Sequence, residues 1–266
     1  MSAKHTLSVI IVAMNESDRI RPCLESVAEL ADEIIVFDSG SSDDTVAICR
    51  EFTEQVFVTD WPGDGIQKQR ALDKATMQWV LRIDADERVS PELRAEITDI
   101  LKQDQIDETG FRIPWATYVF GRYLQRGQNG AYHTNLFRRE GAHYSDNFVH
   151  AGLHTAPGKR RKLRGVLYHD AWRSYRHVLL KFGDYASHAA DRKHSDGETG
   201  GLGQALGHAA WRFFSIYVLK GGFKDGSRGF LMAVVYSQYV FNKYAALWAL
   251  RQPGLPSPDN WKPPAD

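Results

Sequence analysis

The sequence is short of cysteine, of net charge and of long apolar runs, and each shortage removes a class of protein. Two cysteines, Cys23 and Cys49, occur in 266 residues. Each sits in a helix-like pattern with apolar neighbours, so buried free thiols in a reducing compartment are expected rather than a disulfide framework. Lys plus Arg number 33 and Asp plus Glu number 33, giving a formal net charge of zero. A general nucleic-acid binder carries a basic excess, and this chain has none. No apolar run approaches the roughly 20 residues that span a bilayer as a helix. Met1-Ser2-Ala3-Lys4-His5 leads straight into a strand-like segment, so no signal peptide is expected and the expected location is cytoplasmic. Two phosphate-binding signatures are missing as well. Neither G-x-G-x-x-G nor G-x-x-x-x-G-K-[ST] follows the first strand, so a nucleotide would be held by carboxylates and a divalent cation.

What is present is an alternation. Leu7–Ala13 is short, β-branched and apolar on both faces, which predicts a buried strand of a parallel sheet. Ser17 or Asp18 offers a cap for a helix carrying Ile20, Leu24, Val27 and Leu30. Glu33–Phe37 is a second strand, followed by a helix from near Thr45 with Val46, Cys49 and Phe52 as its stripe. Gln55–Thr59 is a third strand, a helix runs from about Gln67 to Thr76, and Val80–Ile83 is a fourth strand. Strands separated by helices in this way predict an α/β fold with a mostly parallel sheet, which binds ligands beyond the carboxyl ends of its strands.

Polar residues collect at those ends: Asn15 and Glu16 after the first strand, Asp38 after the second, Asp60 after the third, and Asp84, Asp86 and Glu87 after the fourth. On an extended backbone, residues two apart point to the same side, so Asp84 and Asp86 are expected to face one site. Carboxylates that close repel unless a cation or a proton lies between them.

Four segments in this order carry a resemblance. Val9–Glu16, Phe37–Thr45, Gln67–Leu72 and Asp84-Ala85-Asp86-Glu87 together resemble glycosyltransferase family 2, with its GT-A fold. The resemblance implies a nucleotide-sugar donor, with UDP the leading nucleotide, and a divalent cation, Mg²⁺ or Mn²⁺. It implies that Asn15, Glu16, Asp38, Gln67, Lys68 and Asp84 line the donor pocket and that Asp86 binds the ion. Lys68 or Arg70 is the candidate fixed cation.

The second half is read more loosely. Ser90-Pro91 is a strong helix start, with Leu93, Ile97 and Ile100 or Leu101 facing the core. Phe111–Trp115 and Thr117–Phe120 read as two half-exposed strands, and Trp115 and Tyr118 are candidate acceptor contacts or core residues. Tyr144–His150 resembles a Ser-Asp-x-x-Val-His-Glu segment of the lipopolysaccharide-core β-1,4-glucosyltransferase branch, which makes Asp146 the expected general base and His150 the alternative. The chain departs from that segment at Ala151, where the branch has Glu. His169, ending a short strand, corresponds to the late histidine that completes the metal shell in many GT-A enzymes.

From Tyr175 the pattern turns helical and aromatic, fitting a cover for the sheet, a dimer face or a membrane-interface surface. The expected organisation is 1–170 for donor binding and catalysis, 171–252 as a helical extension and 253–266 as a Pro-rich tail. The resulting expectation is an inverting, metal-dependent hexosyltransferase acting on a lipopolysaccharide-core or related cell-envelope saccharide, peripheral at the inner membrane face. The alternatives are transfer to a polyprenyl phosphate and a non-catalytic nucleotide-sugar-binding partner.

Overall fold

The computed structural model describes residues 4–145 and 152–252. Asp146, His150, Ala151 and the Pro-rich tail therefore lie outside the described residues. In chain order the elements begin β1 (Leu7–Ala13), α1 (Ile20–Val27), β2 (Glu33–Asp38), α2 (Thr45–Arg50), β3 (Val56–Val58), α3 (Asp64–Lys74) and β4 (Trp79–Asp84). β5 (Glu87–Val89), α4 (Pro91–Leu101), β6 (Gly110–Tyr118), β7 (Tyr123–Leu124), β8 (Tyr132–Arg138), β9 (His143–Tyr144) and β10 (Leu153–His154) follow. β11 (Arg160–Lys162), β12 (Leu167–His169), α5 (Tyr175–Ser195), α6 (Leu202–Phe214) and α7 (Gly226–Ala249) complete the order.

The sheet runs β3-β2-β1-β4-β8-β6-β12-β5. β1 lies at its heart, parallel to β2 through Val9↔Ile34 and to β4 through Val9↔Leu81. β2 and β3 are also parallel, so four successive strand ends open on one edge. Apolar layers cover both faces. On one, α1, α2 and α4 bury Leu24, Cys49 and Ile97 against Val9, Leu81 and Phe111; on the other, α3 buries Ala71 and Leu72 against Ile10, Val80 and Phe137. Both cysteines are buried and free. This is the expected α/β architecture, a sheet flanked by helices and followed by C-terminal helices.

Local differences have physical reasons. The strand expected in two half-exposed pieces is one element, β6, buried along most of its length because it is central, bonded to β8 on one side and to β12 on the other. Between Phe111↔Leu136 and Arg112↔Thr134 the register slips by one, leaving Asn135 as an extra residue on β8. Its amide donates to the Arg82 carbonyl at 2.9 Å. The first helix starts at Ile20 after Arg19 rather than at a Ser17 or Asp18 cap; backbone bonds from Arg19 N and Ile20 N to the Glu16 carbonyl form its first turn. At α4 the expected cap is present, Ser90 Oγ accepting from Leu93 N at 3.1 Å.

Two compact units divide the chain, residues 1–125 with 129–171 and residues 126–128 with 172–266. In the second, Val178, Phe182, Ala186 and Ala190 form the buried stripe of α5. α6 continues into a π-helical turn, Ser215–Leu219, and a 3₁₀ turn, Gly222–Asp225, precedes α7. A Cβ on Gly229 would fall 1.9 Å from the Gly222 carbonyl, so the first turn of α7 packs against the 3₁₀ turn only with glycine at that position. Leu206, Trp211, Phe214 and Leu219 are exposed, Trp211 by 61%. No helix among the described residues is long and apolar enough to cross a membrane.

Candidate active site

The loops after β1 and β2 are tied to each other before any ligand is considered. Asn15 adopts a left-handed backbone (φ 54°), a conformation Asn tolerates better than most residues. Its Oδ1 accepts from Ser42 N at 2.9 Å, and its own N–H donates to Ser41 Oγ at 2.8 Å. Glu16 N–H donates to Thr45 Oγ1 at 2.8 Å, while its carboxylate accepts from Arg19 Nε at 2.8 Å. Asp38 is fully buried and accepts from Gly40 N at 3.0 Å, Ser41 N at 2.7 Å and the Ser41 hydroxyl. Gln67, also fully buried, donates to Ser39 Oγ and Thr59 Oγ1, each at 3.0 Å. Asp60 stands apart, on the surface in an ion pair with Arg70.

Asp84 is the last residue of β4. Its Oδ2 accepts from Arg82 NH1 at 2.7 Å, and its Oδ1 lies 3.6 Å from Lys68 Nζ, which also pairs with Asp64 at 2.7 Å. Of the two candidate fixed cations, Lys68 is the one brought to this cluster. Burial would raise the Asp84 pKa, but Arg82 and Lys68 outweigh it and hold the carboxyl well below the usual range. Asp86 sits in the turn before β5, not on an extended continuation of β4, and therefore meets different partners. Its Oδ2 is 3.6 Å from His169 Nε2 and 3.6 Å from Arg19 NH1. Burial opposes its ionisation, yet the His169 contact brings its pKa down to about 2. Reciprocally, burial would lower the His169 pKa and Asp86 raises it.

Long-range contacts deliver His169 to this position. β12 lies between β6 and β5 with His169 opposite Glu87. Asp170 N–H donates to the Asp86 carbonyl at 2.8 Å, and Arg19 NH1 donates to the Asp170 carbonyl at 2.8 Å. The Asp170 carboxylate accepts from Tyr123 OH at 2.8 Å and from Arg88 NH2 at 3.0 Å. Trp115 sits between two imidazoles, its ring centroid 3.9 Å from His133 and 4.5 Å from His169, and so supports the site from within. Tyr118 is exposed and packs edge-on against Tyr123.

Sequence reasoning passed over Arg19, Arg82, Arg88, Tyr123, Asp170 and the role of Glu87. Only Arg82 was signalled locally, two residues before Asp84 on the same strand face. Glu87 is fully buried; one oxygen accepts from Asp84 N at 3.0 Å and the other has no hydrogen-bond partner among the described residues. Burial and the Asp84 charge push its pKa up to about 7.

Asp86 and His169 present one carboxylate and one imidazole to each other in a largely buried setting, with side chains 13% and 16% exposed. That donor pair is of a chemistry that would suit a divalent cation, with the other ligands coming from substrate oxygens and water. Among the described residues no group of three or more His, Cys, Asp or Glu side chains is arranged to hold a metal.

The sequence is similar to known proteins over nearly its whole length. Residues 8–165 match the model of glycosyl transferase family 2. An uncharacterized glycosyltransferase of Rickettsia conorii is 28% identical, covering 96% of this chain and 93% of its own. The lipopolysaccharide core biosynthesis glycosyltransferase LpsC of Rhizobium meliloti is 27% identical, covering 93% of this chain and 94% of its own. Among solved structures, Staphylococcus aureus TarS in complex with UDP-GlcNAc aligns over 92% of this chain and 91% of that chain, at 14% identity and a TM-score of 0.49. The chain belongs to glycosyltransferase family 2.

Proposed function

We propose that the chain is an inverting hexosyltransferase that moves a sugar, with glucose from UDP-glucose the leading donor, onto a lipopolysaccharide-core or related cell-envelope saccharide. One observation carries the reading: the strand-end carboxylates open on one sheet edge, with Asp86 facing His169 and Asp84 held between Lys68 and Arg82. Residues 1–170 bind the donor and perform the transfer. Asn15, Glu16, Asp38 and Gln67 shape the nucleoside end of the pocket, Asp38 and Gln67 by fixing the loops that line it, and Asp84 and Lys68 face the sugar-diphosphate. Asp86 and His169 hold Mg²⁺ or Mn²⁺, which when bound neutralises charge on the departing diphosphate.

In the reaction the acceptor hydroxyl attacks the anomeric carbon, the bond to the diphosphate breaks, and a base takes the hydroxyl proton. Asp146 is assigned as that base on its sequence position. Its replacement by Asn is expected to lower transfer by roughly 10²–10⁴-fold with donor binding retained. The similarity to LpsC over both full lengths supports the envelope-saccharide acceptor. Residues 171–252 form an accessory surface at the inner membrane face. Between residues 202 and 251 lie six Lys or Arg and a single carboxylate, Asp225, among exposed aromatics, a combination that suits an anionic lipid interface.

A panel of nucleotide sugars, each offered with Mn²⁺ or Mg²⁺ and an envelope-saccharide acceptor, tests the reading. Metal-dependent turnover of UDP-glucose above the other donors is expected. No turnover or binding of any donor by folded protein would refute it.

A further inference from the structure

A second cluster of charge lies beside the donor edge, and its Arg112, Arg160 and His133 have no part in the roles above. The side chains of Lys68, Arg82, Arg112, His133, Tyr144 and Arg160 help to line a cavity of about 470 Å³ in the first unit. Among the described residues no carboxylate lines it, although the chain as a whole has no net charge. The cations divide into two kinds. Lys68 and Arg82 are matched by Asp64 and Asp84. Arg112 donates only to the Tyr132 carbonyl at 3.1 Å, and Arg160 only to Thr155 Oγ1 at 2.8 Å, so neither has a carboxylate partner among the described residues. Lys162 adds a further charge over the Tyr132 ring, 4.8 Å from its centroid.

The walls also hold a polar atom that lacks a partner. His133 Nε2 is buried without a hydrogen-bond partner among the described residues, while the buried Tyr144 hydroxyl faces the Arg82 guanidinium. Buried polar atoms are ordinarily satisfied, and an orphan in a cationic cavity marks a place where a ligand supplies the partner. The field points the same way. Burial and the Arg82 guanidinium push the His133 imidazole down to about 4, so the ring stays neutral and adds no charge of its own.

We propose that this cavity is an oxyanion subsite for the acceptor, holding a phosphate or carboxylate on an acidic saccharide through Arg112 and Arg160 while the strand-end carboxylates hold the donor. Guanidinium groups match phosphate and carboxylate oxygens in pairs, and a cavity of this size takes one substituted sugar ring. The inference rests on the acceptor being a saccharide, as proposed above, but not on the identity of the donor.

Calorimetric titration of the full chain with glucose 6-phosphate, glucuronate, glucose and, separately, UDP tests it. Glucose 6-phosphate and glucuronate are expected to bind and glucose is not. Arg112→Gln and Arg160→Gln are each expected to weaken the acidic sugars about tenfold or more while leaving UDP affinity within twofold. Arg160 is exposed, so its variant tests the subsite even if the Arg112 variant fails to fold. Equal binding of glucose and glucose 6-phosphate, or no binding of either acidic sugar, overturns the proposal. Loss of UDP affinity in step with the acidic sugars overturns it too, because the cavity would then serve the donor's diphosphate. Failure of UDP alone to bind wild-type protein would count against the donor reading and leave this subsite standing.

Discussion

The carboxylate edge of the first unit and the helices of the second place the same residue types in opposite surroundings. Behind the edge, Trp79 is fully buried against Phe111 with the Arg138 guanidinium 5.0 Å from its ring centroid. On α6, Trp211 is 61% exposed. Along the edge, Asp84 and Asp86 have cations within 4 Å. In residues 202–251, cations outnumber carboxylates six to one. Folding has desolvated the charges of the first region and locked them to partners, which costs stability and gives a site that needs little reorganisation when charge develops in a substrate. The second keeps apolar and basic surface in water, where it gains only on meeting something else.

The contrast can be tested from its strongest consequence down. Asp86→Asn is expected to lower donor turnover by about 10³-fold, corresponding to several kcal/mol of charge neutralisation. It is also expected to lower the melting temperature because Arg19 and His169 lose their buried carboxylate partner, with the protein still folded at assay temperature. Steady-state kinetics beside a thermal melt reads both. Trp79→Ala should destabilise the first unit by about 3–5 kcal/mol, seen in denaturant unfolding, because it empties a fully buried indole site. His133 supplies an intermediate effect. Its pKa is pushed down to about 4, below the roughly 6.5 of an unfolded histidine, so the unfolded chain takes up the proton first as pH falls. Stability present above pH 6.5 is therefore lost as pH falls toward 4, and His133→Gln should flatten that part of the unfolding-versus-pH profile. Trp211→Ser should change stability by less than about 0.5 kcal/mol, yet weaken co-sedimentation with anionic vesicles. A large destabilisation by the Trp211 change would erase the distinction between the two regions.

What the sequence made legible follows from the range of the interactions involved. β1, β2 and β4 could be read because their residues are apolar on both faces, and Ser90-Pro91 because a cap is a contact three residues long. The strand-end motifs could be read because parallel topology alone brings Asn15, Asp38 and Asp84 to one edge. His169 was legible as a companion of Asp86 only through the family resemblance, and the polar contacts around the pair were not legible at all. Arg19 reaches the Asp170 carbonyl across 151 positions and Arg88 reaches its carboxylate across 82, distances over which local patterning carries no signal. The separation of Asp84 from Asp86 was hidden for the opposite reason: a turn of two residues overrides the alternation that an extended strand would have imposed. β6 was read as two pieces, Phe111–Trp115 and Thr117–Phe120, whereas pairing on both sides carries one strand through Ala116.

The account stands or falls on whether Asp86 and His169 couple a divalent ion to a nucleoside diphosphate. Calorimetric titration of UDP into wild-type protein and into Asp86→Asn, each in Mn²⁺ and in chelator, measures that coupling directly. The expected result is that Mn²⁺ tightens UDP binding at least tenfold in the wild type and has no such effect in the variant. Equal UDP affinity in Mn²⁺ and chelator, or an undiminished Mn²⁺ effect in Asp86→Asn, would contradict it.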